Sequence, residues 1–207
     1  MNLLAFAASN SSQSINRQLV DYAIRLLGDG LVEGVPAGEV EVRTIDLNDY
    51  EMPIYSIDRQ NADGIPQPAH DFYDTIGAAD ALLISFAEHN GSYTVAYKNV
   101  FDWASRINMR VYHDKPIVML STSPGGGGGG FVLRSAAHLA QYFGNEVLAS
   151  LSIPRFDQNF DTAAGTLSDP DLDAQLRDAL ATLSGVHDQS ADGAETYLPS
   201  TSTGGPD

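Results

Sequence analysis

Five short apolar runs, each followed by residues spaced for a helix, constrain this chain more than anything else in it. Residues 3–8 (LLAFAA), 81–87 (ALLISFA), 116–123 (PIVMLSTS) and 147–153 (VLASLSI) are close to continuous in apolar character. Such runs fit strands covered on both faces. The remaining run differs: Val40, Val42 and Thr44 alternate with Glu41 and Arg43, the pattern of a strand with one wet face. That strand belongs at a sheet edge.

Helical spacing fills the intervals. Ile15, Leu19, Tyr22, Ala23 and Leu26 form the first stripe, with Ser14 placed as N-cap and Gly28 and Gly30 as the stop. A loop through Pro53 and residues 66–68 precedes Phe72, Ile76 and Ala79, and the loop AEHNGSY precedes Ala96, Val100, Trp103, Ala104 and Ile107. Gly125 to Gly130 lead to Val132, Ala136, Leu139, Ala140 and Phe143, closed by Gly144. Asp169 as cap and Pro170 at the first helical position open a last stripe of Leu172, Leu176, Ala179, Leu180 and Leu183, ended by Gly185. Parallel strands need crossover connections, and these are right-handed. The expected fold is therefore α/β: a doubly wound five-stranded parallel sheet with helices on both faces. Setting the half-wet second strand at the edge beside the first gives the order 2-1-3-4-5, the flavodoxin-like arrangement. The 207 residues suffice for one domain, assigned to 1–187, while 188–207 are polar and glycine-rich enough to be expected as a disordered acidic tail.

Charge and composition close off several classes of function. Twenty-seven acidic residues against eleven basic ones give a net charge of -16, a field that repels phosphate backbones, so no nucleic-acid partner is expected. The absence of cysteine removes disulfides, thiolate nucleophiles and cysteine-ligated metals. No apolar run approaches the roughly 20 residues of a membrane helix, and the start MNLLAFAASN has no basic residues ahead of its apolar stretch. A cytoplasmic protein without a membrane partner is expected. The five histidines show no HExxH spacing and no GxSxG elbow occurs, so neither a metal site nor a catalytic side-chain constellation is expected.

In a sheet of this order, ligands bind where the strands end near the reversal of direction, so the loops after the first, third and fourth strands matter most. The first, Ala8 to Asn16, gathers Ser9, Asn10, Ser11, Ser12, Ser14 and Asn16 around a helix N-terminus. Hydroxyls and free amides there suit a phosphate monoester. One cap would need only one or two of these side chains. The loop contains neither GxxxxGK[ST] nor GxGxxG, which argues against nucleoside triphosphates and dinucleotides at this position. Six consecutive glycines after the fourth strand leave backbone open to a flat ligand, or else make a flexible linker.

Three ordered stretches carry a family resemblance. Ser9, Ser14 and Asn16 match a first-loop pattern GSxRxxSxN, with Ser11 where arginine is common. AEHNGSYTVAYKNVFDW, residues 87–103, matches PEYNGSxPGxxKNxxDW at Glu88, Asn90, Gly91, Ser92, Lys98, Asn99, Asp102 and Trp103; Ala87 and His89 replace proline and tyrosine. Ser121, Ser123, Pro124, Gly125 and Gly126 match SxSPGG. Over roughly residues 1–155 the chain resembles the NADPH-dependent FMN reductase family, whose members include flavin, quinone, azo-dye and chromate reductases. The resemblance implies FMN as cofactor, held by Ser9, Ser11, Ser14, Ile15 and Asn16 at its phosphate and by Glu88, His89, Asn90, Gly91, Ser123, Gly125 and Gly126 around its ring. It implies NADPH or NADH as electron donor, ping-pong hydride transfer to a small acceptor such as a flavin or quinone, and a homodimer or homotetramer. His89 either alters the ring's surroundings or the substrate pocket, or is an idle loop residue. An FMN-binding electron carrier or interaction protein is the competing reading; such carriers usually have a threonine-rich first loop, and here that loop is serine and asparagine.

Overall fold

The computed structural model describes residues 1–186, so the expected acidic tail lies outside the described residues. The chain runs β1 (Asn2–Ala8), α1 (Ile15–Gly28), β2 (Glu41–Thr44), a 3-10 turn (Leu47–Tyr50), α2 (Ile57–Asp63), α3 (Gln67–Gly77) and β3 (Ala81–Phe86). A small hairpin of β4 (Glu88–His89) and β5 (Ser92–Tyr93) follows, then α4 (Val95–Ile107), β6 (Lys115–Thr122), α5 (Gly130–Ala140) and β7 (Asn145–Ile153). The chain then forms α6 (Phe156–Asn159), a second hairpin of β8 (Phe160–Asp161) and β9 (Thr166–Leu167), and α7 (Pro170–Ala181). The main sheet is five-stranded in the order β2-β1-β3-β6-β7, and every pairing in it is parallel. This is the expected flavodoxin-like order.

The strand period of two explains why the central runs are apolar throughout. Leu4, Phe6 and Ala8 of β1, Leu82, Ile84 and Phe86 of β3, and Ile117 and Met119 of β6 face α3, α4 and α5, where Phe72, Val100 and Val132 complete one core. Leu3, Ala5, Ala81, Leu83, Val118 and Leu120 point the other way, onto α1 and α7, with Leu19, Leu26, Leu176 and Leu180. β2 is mostly exposed, as its alternation foretold. β7 forms the opposite edge, so its apolar run is only half-buried.

Element ends follow the expected chemistry with some differences. Ser14 and Asp169 cap α1 and α7, each side chain accepting from an amide in the first turn, and Pro170 sits at N1. α7 stops at Ala181 rather than at Gly185, and α5 stops at Ala140, continuing as a 3-10 turn to Phe143 before Gly144. Leu139, assigned to the core stripe, is 37% exposed. Lys98 pairs with Asp102 at 2.7 Å, whereas Arg106 lies over the Tyr55 ring.

Buried tyrosines give the fold a pH limit. Burial first, and then the hydrogen bond to Asp173, pushes Tyr22 up to about 12. Burial likewise raises Tyr97 and Tyr112, whose hydroxyls meet at 2.6 Å beneath α4. In the unfolded chain tyrosine ionises near about 10. The folded state thus holds more protons above that point, so this stability is complete below it and is lost as pH rises through the folded values. Melting temperature is expected to fall from roughly pH 10 upward, with tyrosinate absorbance appearing together with unfolding; Tyr22→Phe should flatten the decline.

Candidate functional site

At the carboxyl ends of β1, β3 and β6, each loop is fixed by contacts distant in sequence. Ser9 Oγ accepts from the Ser11 amide at 3.2 Å, Ser11 Oγ from Gln13 at 3.3 Å, and Ser14 Oγ from Arg17 at 3.2 Å. Each hydroxyl keeps its own proton for a ligand. Among the described residues the amides of Ser12, Ile15 and Asn16 have no acceptor, and no acid occupies the first turn of α1. The loop therefore presents unpaired amides and hydroxyl donors, with no acidic side chain, at the positive end of a 14-residue helix.

Asn16 takes a different part from the one its position suggested. Its side chain is turned inward: only 3% of the residue is exposed. Oδ1 accepts from Ser85 Oγ at 2.8 Å and from the Thr122 amide at 3.0 Å, while Nδ2 donates to the Thr122 carbonyl at 3.2 Å. One amide thus fastens α1 to β3 and to the end of β6. What Asn16 leaves toward the cleft is its backbone N–H.

The third loop is the β4–β5 hairpin, closed at Asn90 and Gly91 with φ of 52° and 76°. Two consecutive positive values define the tight turn that Asn-Gly favours. His89 is exposed on it, and Asn90 and Gly91 form its tip. Glu88, expected near the ligand, accepts the amides of Phe131 and Val132 at 2.9 Å each, neutralising the N-terminus of α5. Thr94 joins the loop's far end to β1 by donating to the Ala8 carbonyl at 3.0 Å while capping α4.

In the fourth loop the glycine run divides into two parts. The Gly125 carbonyl accepts from Gly128 and from Arg155, and the Ser123 carbonyl from Phe156, which anchors the loop to the chain beyond β7. Ser121 and Ser152 both donate to the Gly128 carbonyl, at 2.8 and 2.9 Å. Gly128 has φ +57°, and a Cβ there would stand 2.9 Å from the Ile153 carbonyl. At Gly127 a Cβ would meet nothing within 4 Å, and at Gly126 only the Arg155 guanidinium at 3.8 Å. The amides of Gly125, Gly126 and Gly127 have no acceptor among the described residues. Held backbone, open surface and free donors describe a built wall rather than a linker.

These loops enclose a cleft of about 220 Å³ lined by Ser9, Ser11, Ser14, Ile15, Asn16, Glu88, His89 and Ser123, with Thr122 and Pro124. Gly125 and Gly126 lie next along the chain, and Asn90 and Gly91 continue the hairpin beyond His89. A second cleft of about 310 Å³ adjoins it, and His89 lines both. Its outer wall is the segment 47–54, which no motif or period in the sequence marks as part of a site. Asn99 clamps that segment, accepting from the Tyr55 amide at 2.8 Å and donating to the Met52 carbonyl at 3.1 Å, and Trp103 Nε1 donates to Pro53 at 2.7 Å. Trp103 is thus both core and clamp. Arg17 was also missed; it borders a small recess with Ser9, Ser11 and Ser14. No group of three metal-ligating side chains occurs among the described residues.

Both the sequence and the fold have counterparts among known proteins. The family model for NADPH-dependent FMN reductase matches residues 1–158. An NAD(P)H-dependent FMN reductase of Pseudomonas aeruginosa is 32% identical over 154 residues, covering 74% of this chain and 72% of that one. An NADPH:quinone oxidoreductase of Arabidopsis thaliana is 33% identical over 158 residues, covering 73% and 76%. Among solved structures, a flavoenzyme NAD(P)H:(acceptor) oxidoreductase of Paracoccus denitrificans superposes with a TM-score of 0.68 over 91% of this chain and 97% of its own, at 22% identity.

Proposed function

Since the chain belongs to the NADPH-dependent FMN reductase family, we propose that it is an NAD(P)H-dependent oxidoreductase that holds FMN across its first, third and fourth loops and reduces a quinone or similar small acceptor by ping-pong kinetics. The observation that carries this reading is a cleft bounded on one side by a helix N-terminus with unpaired amides and on the other by Ser123 and Pro124, from which the glycine run continues with further unpaired amides. FMN, when bound, supplies the hydride chemistry. The hydroxyls of Ser9, Ser11 and Ser14 and the amides of Ser12, Ile15 and Asn16 bind the phosphate. Amides of the glycine wall lie where they favour negative charge on a flat ring. Because donor and acceptor use the same open face in turn, no acid, base or nucleophile is required for the first transfer.

The groove between α4 and α5, which carries the exposed Met109 and Leu139, is the surface we propose for a homodimer or homotetramer. No helix among the described residues is long and apolar enough to cross a membrane, and a cytoplasmic site goes with the same reading.

Reconstituted protein is expected to retain FMN in preference to FAD, and anaerobic stopped-flow mixing with NADPH or NADH should bleach the oxidised flavin band within seconds. If neither nicotinamide bleaches it while a separate reductase protein does, an electron carrier takes this reading's place. Ser14→Ala should weaken FMN binding by about 1.5–3 kcal/mol and cost about 1 kcal/mol of stability through the lost cap. Fluorescence titration and urea denaturation read the two effects separately; unchanged FMN affinity would reduce Ser14 to a helix cap.

A further inference from the structure

We infer that His89 donates the second proton when the acceptor is a quinone, with the quinone seated in the cleft beyond it. The inference rests on the proposed function and takes up the one residue at which the two clefts meet. Its backbone is fixed by pairing with Ser92 and by the tight turn that follows, while the imidazole is exposed and makes no hydrogen bond among the described residues. A side chain held in place yet uncommitted is available to a ligand.

The charges around it narrow the role. Neither cleft is lined by a lysine or arginine; the titratable groups that share them with His89 are Glu51, Glu88 and Tyr50. Glu88 is committed to the amides of Phe131 and Val132, and Tyr50 is buried against Phe72. Carboxylates accept hydrogen bonds near neutrality, whereas an imidazole can donate and can exchange a proton there. His89 is therefore the lining group suited to proton donation. With Glu51 in the second cleft and no cation, an anionic acceptor is disfavoured. The exposed apolar side chains of Ile54 and Val95, 66% and 69% accessible, border this cleft and suit a flat hydrophobic ring.

The balance of the step requires such a donor. A quinone becomes a hydroquinone by gaining two electrons and two protons. Both electrons and one proton arrive together as the hydride from the loaded cofactor; the other proton passes from an imidazole nitrogen of His89 to the remaining quinone oxygen. The imidazole then regains a proton from bulk water.

The test uses the full chain loaded with FMN, with duroquinone as probe. In oxidised protein carrying labelled histidine, with no electron donor present, duroquinone should shift the imidazole resonances of His89, identified by their loss in His89→Gln. Photoreduced protein is then mixed anaerobically with duroquinone or with ferricyanide, which takes electrons singly and no proton. The quinone-to-ferricyanide rate ratio should fall roughly tenfold or more in His89→Gln. Unmoved His89 resonances, or a ratio equal to that of the parent protein, would overturn the inference. Failure of the parent protein to retain FMN, or of nicotinamide to bleach it, is read before any quinone is added and counts against the proposed function instead.

Discussion

Replacing Asn16 by leucine is expected to remove about 2–5 kcal/mol of stability, because two donors are stranded in a dry interior. The Ser85 hydroxyl and the Thr122 amide both give their hydrogens to Asn16 Oδ1, and Ser85 and Thr122 are almost completely buried. Leucine shares the branching of asparagine at Cγ but is bulkier, so overpacking adds to the desolvation and both act in the same direction. That loss is a large part of the roughly 5–15 kcal/mol that holds a domain folded. FMN affinity should fall with it, since α1 is then released from the end of β6. Adding Ser85→Ala to the leucine variant removes one stranded donor and should return part of the loss, a coupling that a double-mutant cycle in urea measures. Wild-type stability in Asn16→Leu would show that this residue serves the ligand and not the frame.

That role could not be read from the chain. Ser14 and Asn16 look alike in sequence, two polar residues at a helix start, but one stays at the cleft and the other turns under it toward Thr122, 106 positions away. Glu88 is a similar case, reaching α5 across 43 and 44 positions. Patterns of period and capping are local and were legible: the five strands, the half-wet edge strand and the caps at Ser14 and Asp169 all follow from neighbours within a few residues. The β4–β5 hairpin carried a usable signal in Asn90-Gly91 between short β-forming segments. The wall at 47–54 carried little, because its regular element is a four-residue 3-10 turn, too short to show a period. The family resemblance pointed to Asn99 and Trp103 but not to the segment they clamp.

The glycine run should respond unequally to the same added methyl group. Gly128→Ala is expected to cost about 2–5 kcal/mol: an L-residue in the left-handed region loses roughly 1–2 kcal/mol, and overpacking against backbone that cannot yield adds about 1–3. The backbone in question is the Ile153 carbonyl at the end of β7, a strand already paired to β6. Ser121 and Ser152, which both donate to the Gly128 carbonyl, would have to follow any shift of the loop. Gly127→Ala meets open space and should stay within about 0.5 kcal/mol of wild type. Thermal melts of the two variants, taken side by side, decide the matter; equal melting temperatures would mean that the run is a slack tether and not a wall.

The bond between Glu88 and the start of α5 has a consequence for how the protein breathes. Its carboxylate belongs to the hairpin, while the two amides it accepts belong to the helix behind the glycine wall. Charge-assisted bonds of this kind are about twice as strong as neutral ones. Neither side can therefore swing out alone without giving up both bonds, and local opening should take hairpin and helix end together as one cooperative patch.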